Sequence, residues 1–189
     1  MFLAGTLGGI IALAVVTIIW AIGVYNRLIS NRSLKEEGWS GVDVQLKRRH
    51  DLIGDLINAV KGSMQHERTV LEELTLMRAE AQQAGGRGMA AVAAAEARLG
   101  QALGRLFAVM ENYPALKASE NVMQLREELR RLDNDIQMAR RYFNATVRDF
   151  NILVQSFPSN IVARRFAFTV GEFFELNTAE ARKAPKVAF

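Results

Sequence analysis

Residues 1–27 read MFLAGTLGGIIALAVVTIIWAIGVYNR, and no charged side chain occurs in this stretch before Arg27. The hydrocarbon core of a bilayer, about 30 Å thick, needs roughly 20 apolar residues at the 1.5 Å rise of an α-helix. The run from Phe2 to Tyr25 supplies them, with Ile, Leu, Val and Ala throughout and Trp20 near its end. One helical pass through a membrane is predicted. The rival is a cleaved signal peptide, because Ala21-Ile22-Gly23 has the small-residue spacing of a cleavage site. No basic segment precedes the apolar run, which argues against cleavage. Orientation follows from Lys and Arg near the span: none lies before it, while Arg27, Arg32 and Lys35 follow. That asymmetry puts the N-terminus outside and the bulk of the chain in the cytoplasm.

Within the span, Ala4, Gly8 and Ala12 recur four apart, and Gly5 with Gly9 forms a neighbouring line. Small residues at this spacing let helix backbones approach closely in lipid, where packing drives association. The five residues are candidates for transmembrane self-association. The plainer alternative is that Gly and Ala are common in membrane helices.

The 163 residues from Arg27 onward have a different character. They read as helices with one apolar stripe each, and they are numerous enough for a domain with its own core. The series Leu46, His50, Ile53, Ile57, Val60, Met64, Glu67, Leu71, Leu74 alternates spacings of four and three, the mark of one helix face packed on partners. Gly54 and Gly62 interrupt it, each weakening a helix by about 1 kcal/mol relative to Ala, so a kink near one of them is expected. Gly85-Gly86-Arg87-Gly88 provides a turn. An alanine-rich helix then carries Val92, Leu99, Leu103, Leu106 and Met110 on one side and ends at Asn112-Tyr113-Pro114. The last long helix has the clearest stripe: Val122, Leu125, Leu129, Leu132, Ile136, Ala139, Phe143, Val147, Phe150 and Val154. Phe157-Pro158 stops it.

Long helices joined by short turns bury their stripes only against one another. The predicted fold is therefore all-α: a single N-terminal transmembrane helix followed by an elongated antiparallel bundle of three to four long helices. Three parts are expected: an anchor over 1–26, the bundle over 27–158, and an aromatic-rich tail over 159–189. That tail sets Phe166, Phe168, Phe173, Phe174 and Phe189 among Arg164, Arg165, Arg182 and Lys183. Its phenylalanines either cap one end of the bundle or meet a membrane surface or partner.

Composition narrows the chemistry. Cysteine is absent, which removes disulfides and thiolate catalysis and is compatible with a reducing compartment. The net charge of +4 arises from 24 basic and 20 acidic residues mixed along the helices, unlike the one-sided footprint of a nucleic-acid binder. A carboxylate-bridged di-metal site in a bundle needs Glu-x-x-His pairs. Lys47 and Ser63 stand three residues before His50 and His66, and Val70 occupies the place a zinc-protease motif would fill with a second histidine. Glu72-Glu73 and Glu127-Glu128 are adjacent pairs pointing at different azimuths, as surface residues do. No phosphate-cradling loop is present, and no nucleophile and base pair by spacing. No cofactor, metal or catalytic residue is predicted.

The basic run Lys47-Arg48-Arg49 lies about 30 Å beyond Arg27 along a helix, far outside the roughly 8 Å Debye length, so it is a poor headgroup ligand. Local pairing of Lys47 and Arg48 with Asp51 is the plain reading; contact with another subunit or partner is the functional one. Lys47, Arg48, Arg49, Phe166, Phe168, Phe173 and Phe174 form the candidate interaction surface.

Several segments together resemble the LemA family. They are Tyr25-Asn26, Trp39, Val42-Asp43-Val44-Gln45-Leu46-Lys47-Arg48-Arg49, Asp51-Leu52-Ile53, Val60-Lys61-Gly62 and His66-Glu67. Further on are Tyr113-Pro114-Ala115-Leu116-Lys117-Ala118, Ala139-Arg140-Arg141-Tyr142-Phe143-Asn144, Asn151, Phe157-Pro158, Phe173-Phe174 and Ala184-Pro185-Lys186-Val187. The chain departs from the family pattern at Gly54-Asp55, where Pro-Asn is usual, at Val122, where an aromatic is usual, and at Arg126, where Gln is common. The resemblance implies a bacterial inner-membrane protein with one membrane helix, a long helical bundle and no established catalytic residue. It also implies association with membrane proteases, envelope stress or, in one branch, magnetosome membranes. The expected function is a non-enzymatic scaffold that self-associates into a homo-oligomer, organising membrane lipid or recruiting partners. The alternative is a monomeric adaptor that presents its bundle or tail to a membrane protease or signalling partner.

Overall fold

The computed structural model describes residues 2–175, with side chains from Gly8 onward. Among the described residues all regular structure is helical, as the stripes predict. The elements are α1 (Phe2–Val60), α2 (Arg68–Gln83), a 3-10 turn (Ala84–Gly86), α3 (Met89–Met110), α4 (Pro114–Lys117), α5 (Glu120–Gln155) and α6 (Ser159–Arg165). The break expected at Gly54 or Gly62 falls over 61–67, so the nine-residue stripe from Leu46 is shared by α1 and α2. Gly88, at φ 93°, starts α3 in a conformation that only glycine adopts without strain. Pro114 sits in the first turn of α4, where its missing N–H costs no helix bond. The described residues form two compact units, one within 2–40 and 142–172 and the other within 41–141 and 173–175.

In the first unit α1 and α5 run antiparallel. Trp39 meets Phe143 edge-on at 5.5 Å between ring centroids, and Lys35 stands 4.9 Å over the Phe150 ring. Gly38 permits this approach, because a Cβ there would lie 3.2 Å from the Phe143 Cα. At the other end Leu28, Phe150, Val162 and Ala163 are buried together, with Ala21, Val24, Tyr25, Leu153, Val154 and Phe168 packed around them. Helix α6 thus lies across the turns of α1 that hold Ala21, Val24 and Leu28.

The α6 C-terminus is closed by a Schellman arrangement: the Phe168 N–H donates to the Ala163 carbonyl at 2.9 Å and the Ala167 N–H to the Arg164 carbonyl at 3.2 Å. Phe168 and Ala163 also share the core cluster, the apolar contact that accompanies this cap. The left-handed position is Ala167, at φ 56°, where glycine is usual. An L-residue there is disfavoured by about 1–2 kcal/mol, against about 0.5–1 kcal/mol of extra chain entropy for glycine. Ala167→Gly should raise stability by roughly 0.5–1 kcal/mol, read from the midpoint of denaturant unfolding. The strap beyond α6 returns along α5, where the Asn151 amide donates to the Gly171 carbonyl at 3.0 Å and accepts from the Gly171 N–H at 2.7 Å.

The second unit is a bundle of the C-terminal part of α1, α2, α3 and the N-terminal part of α5. Helices α2 and α3 are antiparallel, joined at the surface by Arg105 with Glu73 and Arg98 with Glu80. Its core includes Leu46, Ile53, Leu56, Met64, Leu74, Leu99, Leu106, Leu132 and Ile136. Every stripe residue predicted for α3, Val92 through Met110, is buried.

Candidate functional site

Two features are not accounted for by ordinary bundle packing. The first is in the second unit, where α3 carries an acid in its apolar stripe. Glu96 stands four residues after Val92 and three before Leu99, which turns it inward, and it is 2 % exposed. Its carboxylate is met by two cationic or polar groups from α1. His50 Nε2 lies 2.6 Å from Glu96 Oε1, and Arg49 Nη1 donates to Oε2 at 3.2 Å. Arg49 also reaches Asp133 of α5 at 3.4 Å, and the Arg78 Nε of α2 donates to the His50 carbonyl at 2.6 Å. Gly54 leaves room for that guanidinium, since a Cβ there would sit 2.9 Å from Arg78 Nη2. One buried acid therefore ties α1 to α3, and its partners extend the network to α2 and α5.

Chemically this is a closed charge network. The guanidinium occupies the second carboxylate oxygen, and the site offers one His and one acid, short of the set a metal needs. Among the described residues no group of three or more His, Asp or Glu is placed to hold an ion.

Position decides the fate of the basic run. Lys47 is exposed and pairs with Asp43 at 2.7 Å, one turn before it, and not with Asp51 as spacing suggests. Arg48 is exposed. Arg49 points inward and is 9 % exposed, so it belongs to the core network and not to a surface. Sequence reading missed Glu96, although a signal was there: an acid at helical spacing within an apolar stripe, opposite a helix whose stripe contains a histidine.

On the rim of this unit an open groove of about 360 Å³ is lined by Leu103, Phe107, Met123, Arg126, Leu129 and Arg130. The Arg126 guanidinium stands 5.0 Å from the Phe107 ring centre. The Lys117 ammonium, by hydrogen bond and charge, holds the Glu111 carboxyl below its usual range, with Arg126 adding to it. Arg130 and Arg131 do the same for Glu127. These are solvated surface pairs, whose attraction solvent screens.

The second feature is the exposed apolar face of α1. Ile10, Ile11, Leu13, Val15, Val16, Ile18, Ile19 and Ile22 are all largely open, and none of the most apolar stretch is buried. Such a helix is long and apolar enough to cross a membrane. Gly8 and Gly9 have no heavy atom within 4 Å of an added Cβ, and Ala12 is exposed. The side chains of Ala4 and Gly5 lie outside those described.

The tail phenylalanines divide. Phe166 is exposed with its ring 4.7 Å from that of Tyr25, and Phe168 is half-buried between Tyr25 and Phe150. Phe173 is exposed and Phe174 fully buried. Phe189, Arg182, Lys183 and the closing Ala184-Pro185-Lys186-Val187 lie outside the described residues.

An apolar helix continuous with a charge-locked helical bundle defines the class of membrane-anchored helical-bundle proteins. The family model for the LemA family matches residues 38–189, and the chain belongs to that family. It is similar to magnetosome proteins MamQ 2 and MamQ 1 of Paramagnetospirillum magneticum, each 23 % identical over 175 residues, with 80 % of this chain and 64 % of the relative covered. Magnetosome protein MamQ of Magnetospirillum gryphiswaldense is 24 % identical over 174 residues, with 79 % and 64 % covered. The chain thus spans about 64 % of the length of the curated relatives it matches.

Proposed function

We propose that this protein is a non-enzymatic scaffold of the bacterial inner membrane, held by α1 with its N-terminus outside, that self-associates and organises membrane or recruits partners there. The observation that carries the reading is the apolar run of α1, whose most apolar stretch has no buried residue among the described ones. Lipid satisfies most of that surface, and the small residues Gly8, Gly9 and Ala12 offer a line along which a second copy packs. Similarity to magnetosome proteins supports a role at a membrane. Arg27, Arg32 and Lys35 just after the run support the orientation.

The test is crosslinking in native membranes. The wild-type chain should give dimers and higher species. A variant with Ala4, Gly5, Gly8 and Gly9 all changed to Leu should lose most of them, because bulky side chains hold the backbones apart. Monomers alone in the wild type, or unchanged ladders in the variant, would remove self-association through this face.

A further inference from the structure

The α5–α6 corner combines three properties on one surface. It is apolar and open: Phe157 is 80 % exposed, and Ile161 and Phe166 are more than half exposed. It is cationic, since Arg164 and Arg165 end α6 and both are exposed. It is also placed beside the end of the apolar run of α1, because Val162 and Ala163 pack with Ala21, Val24 and Leu28. A span of roughly 20 residues counted from Phe2 ends at about Ala21, so the α6 contacts fall where hydrocarbon gives way to headgroups.

Cations predominate at this end of the unit, the nearest acids being Glu36, Glu37, Asp149 and Glu172 just beyond it. Residues 8–35 and 150–171 contain Arg27, Arg32, Lys35, Arg164 and Arg165 and not one Asp or Glu. Arg32 is partly offset by Glu36 one turn on. The others have no carboxylate partner among the described contacts, and Lys35 and Arg165 instead lie over aromatic rings. Tyr25 and Trp20 stand at the same level of α1, where amphipathic rings favour the interface.

We infer that this corner is a second membrane contact: Phe157, Ile161 and Phe166 enter the interfacial layer of the bilayer that α1 crosses, and Arg164 and Arg165 bind its anionic lipid phosphates. Exposed apolar side chains beside cations are the pattern by which a short interfacial element lies on a membrane. With the span as one attachment and the corner as another, the first unit is held at a fixed depth and rotation, which a single helix does not achieve. This inference rests on the anchoring of α1 in the bilayer.

The absence of cysteine allows single-site labelling of the whole chain. An environment-sensitive fluorophore is attached to Val15→Cys, Ile161→Cys or Leu76→Cys in vesicles of phosphatidylcholine with or without phosphatidylglycerol, and nitroxide-bearing lipids act as quencher. All three positions are exposed, so the labels leave the cores intact. The expected result is blue-shifted, lipid-quenched emission at 15 and 161 and aqueous emission at 76. Quenching at 161 should be stronger with phosphatidylglycerol and should fall when Arg164 and Arg165 are changed to Glu. Quenching at 15 with aqueous emission at 161 overturns the corner contact and leaves the anchor standing. Aqueous emission at 15 overturns the anchor and this inference with it. Blue-shifted emission at 161 that lipid nitroxides do not quench means protein covers the corner, which also overturns it.

Discussion

Replacing Glu96 with alanine should destabilise the protein by about 3–5 kcal/mol, the size expected when one partner of a buried ion pair is removed. The effect comes less from the lost contacts than from what is left behind. Arg49 and His50 would remain inside the bundle facing an empty, apolar α3, with water excluded from their polar atoms. Asp133 would still meet Arg49 at 3.4 Å, but it is half exposed and its contribution is weakened by solvent. Arg49 already has one buried donor, Nε, without a partner, so the site has little spare capacity. At roughly 2–4 °C per kcal/mol for a domain of this size, the thermal midpoint should fall by about 6–20 °C. Glu96→Gln should fall by less, because its amide oxygen still accepts from His50. The triple replacement Glu96→Leu, Arg49→Met and His50→Leu should recover most of the loss, since an apolar set of similar volume carries no desolvation cost. Circular dichroism of the detergent-solubilised protein measures all three. A shift below about 1 kcal/mol for Glu96→Ala would mean that water reaches the cluster and that it does not lock the bundle.

The bundle was legible in the sequence because helical stripes depend on spacing alone. Val92 to Met110 and Val122 to Val154 identify α3 and α5 from apolar period; turn residues at Gly85 to Gly88 and Asn112 to Pro114 bracket α3, and Phe157-Pro158 follows α5. The break at 61–67 was harder, since Val60, Met64, Glu67 and Leu71 keep the heptad spacing across it. Buried Val60 and Met64 show why: the chain breaks but stays against the same core, so the pattern does not register the turn. The ionic network was illegible for another reason. Lys47, Arg48 and Arg49 look alike as charges, and only the azimuth of each on α1, with an acid waiting on α3, separates a buried arginine from its exposed neighbours. The corner needed long-range contact as well. Nothing local to Phe157 or Arg165 says that residues 162 and 163 pack against residues 21 to 28.

Placing two arginines in the apolar run, Ile11→Arg with Val15→Arg, should move most of the protein out of the membrane fraction. The two sites are four apart and therefore on one face of α1, and both side chains are exposed, so the change leaves the protein's own packing untouched. Each arginine near the middle of a span costs about 2.5–3.5 kcal/mol on insertion, so the pair costs about 5–7 kcal/mol, or more than a thousandfold in partition. Thermal unfolding of the second unit should be unchanged, because its core draws on residues from Val42 onward. Carbonate-washed membranes, compared with supernatant, give the readout. Retention of both charges in washed membranes with wild-type recovery would mean that α1 is not held by hydrocarbon. The variant also isolates the corner. With the span disabled, any attachment that remains must be interfacial, and if Arg164 and Arg165 carry it, then raising the salt should release it, since the attraction of exposed cations to a charged surface is screened within a few ångströms at high ionic strength.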